Sequence, residues 1–185
     1  MKHLYYCRHG QSAANAAHIW GGHTDSALTE EGEQQATTAG LALTSEGTRI
    51  DLIICSPLQR AHNTARRIAA EIGYAVDDII VDDQFIERSF GDMDGKPNTV
   101  TFLAAHPYSD TDKFPNVETV ENLQKRAAAG LEYLKTLDAD NILLVGHGAF
   151  GRALVRVIDG RPYTDEFKLT NITRVIPNAT VIKLI

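Results

Sequence analysis

Residues 4–12 read Leu4-Tyr5-Tyr6-Cys7-Arg8-His9-Gly10-Gln11-Ser12. Four apolar or aromatic side chains are followed at once by a cation, an imidazole, a glycine and two polar groups. An apolar run this short, closed by polar punctuation, has the length of one buried strand. The same pattern returns twice along the chain. Leu52 to Cys55 leads into Ser56-Pro57-Leu58-Gln59-Arg60, and Ile142 to Val145 leads into Gly146-His147-Gly148.

Helical patterns lie between these runs. Thr29 offers a capping hydroxyl ahead of Glu30 and Glu31, and the helix it opens runs to about Gly47. A second helix is expected from Pro57, a good first helical residue, to Gly73. A third spans Val117 to Leu137 behind an Asn116 cap, with Val120, Leu123, Ala127, Leu131 and Leu134 on one face. A fourth begins just after Gly148 and stops at Asp159-Gly160. Ile172 to Ile176 and Thr180 to Ile185 read as terminal strands around the turn signal Pro177-Asn178.

Strand, loop and helix in repeated order predict an α/β fold: a three-layer sandwich whose mostly parallel central sheet is flanked by helices on both faces. In such sheets ligands gather at the carboxyl ends of the strands. The length of 185 residues favours one domain spanning 1–185. Gly91 to Pro115 is the one long irregular stretch and a candidate lid.

Composition narrows the function classes. With 43% hydrophobic and 23% charged residues the chain has a globular profile. A net charge of -6 argues against a surface built for nucleic acid or anionic lipid. Met1-Lys2-His3 enters the first strand directly, leaving no room for a signal peptide, and no apolar run has the length of a membrane span. Cys7 and Cys55 read as two buried thiols rather than a disulfide, which points to a cytoplasmic protein.

The three strand ends bring together Arg8 and His9, Arg60, and His147 with Gly148. Two guanidinium forks match phosphate oxygens, and the N-terminus of the helix after Gly148 adds N–H groups aimed at an anion. His9 has the makings of a nucleophile. One imidazole nitrogen can attack phosphorus when the other is tied to a carbonyl, and Gly10 lets backbone approach closely. Glu87, in Phe85-Ile86-Glu87-Arg88, sits among apolar neighbours that are expected to raise its pKa toward that of a general acid.

Taken together these residues resemble the histidine phosphatases, the phosphoglycerate-mutase-like superfamily. The likeness rests on Arg8-His9-Gly10-Gln11-Ser12 with Asn15, on Gly22 to Asp25 with Leu28-Thr29 and Gly32, and on Cys55-Ser56-Pro57-Leu58 with Arg60-Ala61 and Thr64-Ala65. It continues through Glu87, Gly91 and Gly95 to Val145-Gly146-His147-Gly148. The resemblance implies that His9 is phosphorylated, that Arg8, Asn15, Arg60 and His147 hold the transferring phosphoryl, and that Glu87 is acid and then base. Gly22, His23 and Gly148 complete the expected substrate contacts, and neither metal nor cofactor is expected. The expected partner is a small-molecule phosphate ester, and a homodimer is left open.

Rival readings fit less well. His9, His147 and Glu87 resemble a two-His, one-carboxylate zinc set, but Arg8 and Arg60 would repel a dication. Asp92-Met93-Asp94-Gly95 lacks the later glutamate of a calcium loop. Gly91 to Gly95-Lys96 is a residue short of a nucleotide-binding P-loop and ends in Pro97. Cys55 to Arg60 encloses four residues, one of them Pro57, too few for the loop of a cysteine phosphatase. A phosphoglycerate mutase has a longer basic and tyrosyl insertion after the glutamate, where residues 96–117 offer only Lys96, His106, Tyr108 and Lys113. Val117-Glu118-Thr119 departs from the family's Gly-Glu-Ser and leaves the role of Glu118 open. A phospho-ligand-binding module has no need of both a nucleophile and a placed acid.

Overall fold

The structure is a computed structural model that describes residues 1–98, 108–161 and 176–185. Five strands form one sheet: β1 (His3–Arg8), β2 (Leu52–Cys55), β3 (Ile80–Val81), β4 (Asn141–Gly146) and β5 (Val181–Lys183), in the order β3-β2-β4-β1-β5. β3, β2, β4 and β1 run parallel to one another, and β5 pairs antiparallel to β1 at the edge. All the parallel strands therefore end on one side.

Period-two alternation divides the core in two. Leu4, Tyr6, Ile54, Ile142 and Leu144 pack on one face against α4 (Val120–Thr136) and α5 (Gly148–Ile158). Cys7, Ile53, Cys55, Leu143 and Val145 pack on the other against α2 (Glu30–Ser45) and α3 (Gln59–Ile72). This is the three-layer α/β sandwich expected from the sequence. A four-residue helix, α1 (Ala13–Ala16), follows β1 and is closed by a capping box between Ser12 and Asn15.

Four helix boundaries are instructive. Thr29 caps α2 as expected, accepting the Gly32 N–H. α3 begins at Gln59, two residues after Pro57, because the cap comes from far away: the Gln59 N–H donates to Asp25 Oδ1 at 2.9 Å. Its end is as read, with Gly73 in the left-handed conformation at φ 69. α4 begins at Val120 under a Thr119 cap, not at Val117 under Asn116. Asn116 is itself left-handed at φ 61, and the Glu118 N–H donates to the Ser89 carbonyl, so the chain cannot be helical there.

Cys7 and Cys55 are buried free thiols, and burial pushes each pKa up to about 12. Within Gly91 to Pro115 the described parts hold two 3-10 turns, Gly91–Met93 and Tyr108–Lys113. The heart of the expected lid, residues 99–107, lies outside the described residues, as does most of the expected strand Ile172 to Ile176. No helix among the described residues is long and apolar enough to cross a membrane.

Candidate active site

The carboxyl ends of β1, β2 and β4 are level: the His9 N–H donates to the Gly146 carbonyl and the Ser56 N–H to the Val145 carbonyl. Above them lies a cavity of about 190 Å³. Its polar lining includes Arg8, His9, Ser12, Asn15, Arg60, Glu87 and Arg152, with the backbone of Gly148 and Ala149 beside them. Ile19, Trp20 and Phe90 supply an apolar wall, with the Trp20 and Phe90 rings 4.4 Å apart. Glu87 is the one acidic group among these lining residues.

His9 is buried, and its Nδ1 lies 2.6 Å from the Gly10 carbonyl oxygen. A carbonyl only accepts, so Nδ1 carries the proton and Nε2 keeps a lone pair. Burial, with His147, Arg60 and Arg8 nearby, holds the His9 pKa well below its usual value, so the ring is neutral at pH 7. Two contacts fix the loop that presents it. The Gly10 N–H donates to Thr64 Oγ1, which in turn donates to the Arg60 carbonyl on α3. Gly10 also lies so close to α2 that an added Cβ would sit 2.3 Å from the Gly32 carbonyl oxygen.

His147 packs beside His9, ring centroids 5.2 Å apart. Its Nε2 is 2.7 Å from Ser56 Oγ, and Ser56 Oγ also accepts the Leu58 N–H. In the tautomer in which the Ser56 hydroxyl donates to Nε2, the ring proton is on Nδ1. Among the described residues His147 Nδ1 and Arg8 Nε are buried without a partner. Two unsatisfied donors in one buried site are costly unless a ligand supplies acceptors. Tyr6 bridges the His147 backbone, its hydroxyl accepting the His147 N–H and donating to the His147 carbonyl.

Asn15 faces the cavity with its Oδ1 taken by the Ser12 N–H and by Asn178 Nδ2, so its NH₂ is the group left for a ligand. Arg60 is buried, lines the cavity and also donates to the Gly22 and Thr24 carbonyls, shaping the loop that carries His23. His23 itself is exposed and off the cavity lining, its Nε2 2.8 Å from the Glu87 carbonyl.

Glu87 departs from expectation in one respect. Its carboxylate is buried but not in apolar surroundings: Oε1 accepts the Arg88 and Phe150 N–H groups and Oε2 accepts the Ala149 N–H. Burial pushes its pKa up, yet these three donors and Arg152 outweigh that and leave it below the usual carboxylate range. The anion found at the N-terminus of α5 is thus Glu87 itself. Sequence reasoning missed four contributors: Arg152, Ser56, Tyr6 and Phe90. Arg152 had a legible signal, since it lies four residues after Gly148 and so on the same helix face.

Arg126 on α4 donates to the Gln84, Ile86 and Glu87 carbonyls, and Glu118 grips Arg126 through both carboxylate oxygens. Among the described residues no three His, Cys, Asp or Glu side chains gather as metal ligands do.

Residues 4–184 match the model of the histidine phosphatase superfamily, branch 1. The Hydrogenobacter thermophilus protein named "Putative phosphoserine phosphatase 2" is 35% identical over 168 residues, covering 86% of this chain and 80% of its own. A 2,3-bisphosphoglycerate-dependent phosphoglycerate mutase of Methylorubrum populi is 33% identical, covering 85% and 79%. Among solved structures, the alpha-ribazole phosphatase of Shigella flexneri superposes with a TM-score of 0.72 at 26% identity, covering 86% of this chain and 81% of that one. A mycobacterial glucosyl-3-phosphoglycerate phosphatase in complex with VO3 shares the fold, with a TM-score of 0.80, 23% identity and coverage of 99% and 92%.

Proposed function

The chain belongs to the histidine phosphatase superfamily, branch 1, and from that premise we propose that its phosphatase chemistry runs through His9, with Glu87 as proton donor and acceptor. The observation that carries this reading is the Gly10 carbonyl on His9 Nδ1, which leaves Nε2 as the one nucleophilic nitrogen at the cavity. We take residues 1–185 as one catalytic domain.

A phosphomonoester enters with its phosphoryl oxygens between Arg8, Arg60, the Asn15 amide and His147 Nδ1–H. The dianion satisfies the two buried donors and sets its negative charge against Glu87, so the Glu87 pKa rises on binding. Oε2, which accepts one N–H where Oε1 accepts two, has the capacity to hold the proton. His9 Nε2 forms a bond to phosphorus as the P–O bond to the alcohol breaks. Glu87 gives its proton to the departing alcohol oxygen.

In the second half, water attacks phosphorus, the N–P bond breaks, and Glu87 takes the proton of the water. The products are the alcohol and inorganic phosphate. The guanidinium and imidazole donors stabilise charge on the equatorial oxygens, where one placed donor contributes about 10²- to 10³-fold in rate.

The relatives include mutases, and mutase chemistry needs a grip that keeps the substrate at the phosphoenzyme. Lys96 and Lys113, the lysines of the described part of residues 96–117, are exposed and off the cavity lining, which favours hydrolysis. The test is phosphate release from p-nitrophenyl phosphate in excess chelator. The native enzyme is expected to turn over, with His9→Ala slower by about 10³-fold or more. Full activity in His9→Ala, or loss of native activity to the chelator, would overturn the reading.

A further inference from the structure

We propose that Asn178, 169 residues after His9 and outside the cavity lining, is a positioning residue that locks the Asn15 amide with its NH₂ toward the transferring phosphoryl. The inference rests on the phosphohistidine reading of the site and adds a residue to it.

The His9 carbonyl sets the polarity. Its oxygen accepts one Asn178 Nδ2 hydrogen at 2.8 Å, and a carbonyl has no proton to give, so the nitrogen end of the Asn178 amide is fixed on this side. The second Nδ2 hydrogen reaches Asn15 Oδ1 at 3.4 Å, and the same oxygen accepts the Ser12 N–H at 3.2 Å. Two donors on that oxygen leave the Asn15 NH₂ for the cavity that Asn15 lines. Reversing the Asn15 amide would set its NH₂ against two donors and turn an oxygen toward the phosphoryl dianion. The direction of the His9 carbonyl is thus carried through two side-chain amides into the pocket.

Helix packing does little to orient Asn15. α1 is a single turn in which Ala14 is the buried residue, so the side-chain bonds decide which end of the amide faces inward. Asn178 stands on firmer ground. It bridges to Arg8 through the backbone, the Ala179 N–H donates to the Arg8 carbonyl at 2.8 Å, and Arg8 Nη1 donates to the Ile176 carbonyl at 3.3 Å. Ala179 is buried and left-handed at φ 44, a conformation that an alanine keeps only where its surroundings hold it. The His9 loop has other anchors, since the His9 N–H donates to the Gly146 carbonyl and the Gly10 N–H to Thr64 Oγ1. Loss of the Asn178 amide is therefore felt chiefly at Asn15.

The experiment is a double-mutant cycle on p-nitrophenyl phosphate, with vanadate inhibition and melting temperatures measured alongside. Asn178→Asp keeps the shape of the side chain but offers only acceptors, which favours the reversed Asn15 amide. Asn178→Ala removes both bonds without favouring reversal. The expected loss in kcat/KM is about ten- to a hundred-fold for Asn178→Asp and smaller for Asn178→Ala. In an Asn15→Ala background either substitution should cost less than about three-fold more, and vanadate inhibition should weaken with the same non-additivity. Losses that multiply in full in the Asn15→Ala background, or native kinetics in Asn178→Asp, would overturn the positioning role while leaving the phosphatase reading in place. If Asn178→Asp does not fold, Asn178→Ala carries the cycle under the same criterion. No phosphate release by the native enzyme would overturn the phosphatase reading itself, and the positioning role with it.

Discussion

Glu118 clamps Arg126 with both carboxylate oxygens, at 2.9 and 2.8 Å, and Arg126 delivers its remaining donors to the backbone that carries Glu87. The pair is mostly buried, and the Arg126 guanidinium also lies over the Phe150 ring, whose own N–H holds the Glu87 carboxylate. The glutamate of Val117-Glu118-Thr119 thus braces the backbone of Glu87, the proposed proton donor, and is not among the residues lining the cavity.

Glu118→Gln or Arg126→Met should therefore act through Glu87. Each leaves a partly buried charge without its partner, a cost of about 1–3 kcal/mol readable in urea melts. Each should also lower kcat on alkyl phosphates more than on p-nitrophenyl phosphate, with KM little changed. A stability loss with equal kinetic effects on both esters would make the clamp purely structural.

Glu87→Gln keeps the shape of the side chain and removes the proton. Esters with poor leaving groups should slow by about 10²- to 10⁴-fold, and activated aryl esters far less. Leaving-group series measured on both forms give the answer, and equal losses across the series would exclude proton donation by Glu87.

Gly10→Ala should be more damaging than its size suggests. The added methyl meets the Gly32 carbonyl oxygen at 2.3 Å, backbone against backbone, so the loop must move and take the His9 carbonyl partner with it. We expect a loss of about 2–4 kcal/mol in stability and a turnover reduced by about 10²-fold or more. Native-like melting and kinetics in this variant would show that the loop tolerates displacement.

Stability should fall on both sides of neutrality. His9 and His147 have depressed pKa values when folded, so below about pH 6.5 the unfolded chain takes up protons that the folded one refuses, and stability drops with pH. Cys7 and Cys55 are raised to about 12, so their contribution is complete below about pH 8.5 and is lost as pH rises beyond it. Each group contributes up to about 1.4 kcal/mol per pH unit. Melting temperatures from pH 5.5 to 10 should trace a dome, with the acid limb shallower in His9→Ala. An unchanged acid limb would mean that His9 is charged in the folded state.

Much of the fold was legible in the sequence because short apolar runs that end at 7, 55 and 145, with polar residues just after, leave few alternatives to buried parallel strands. β2 matches Leu52 to Cys55 residue for residue, and Thr29 caps α2 by a local bond. Errors fell where distant groups decide the outcome. α3 starts at Gln59 because Asp25, 34 residues earlier, caps it, and α4 starts late because Ser89 binds the Glu118 N–H.

The site divides in the same way. His9, Arg8, Arg60, Asn15 and Gly148 follow strand ends or first turns and do line one cavity, whereas the surroundings of Glu87 come from α5 and could not be read from its neighbours in sequence. His23, placed in the site from its motif, is drawn to the Glu87 carbonyl instead.

The most direct test of a phosphoryl bond to His9 Nε2 is to quench the enzyme into base during turnover of a phosphomonoester, digest it and weigh the peptides. The account predicts one phosphorylated peptide, containing His9, labile to acid and absent from His9→Ala. Turnover with no such peptide, or with phosphate on another residue, would contradict it.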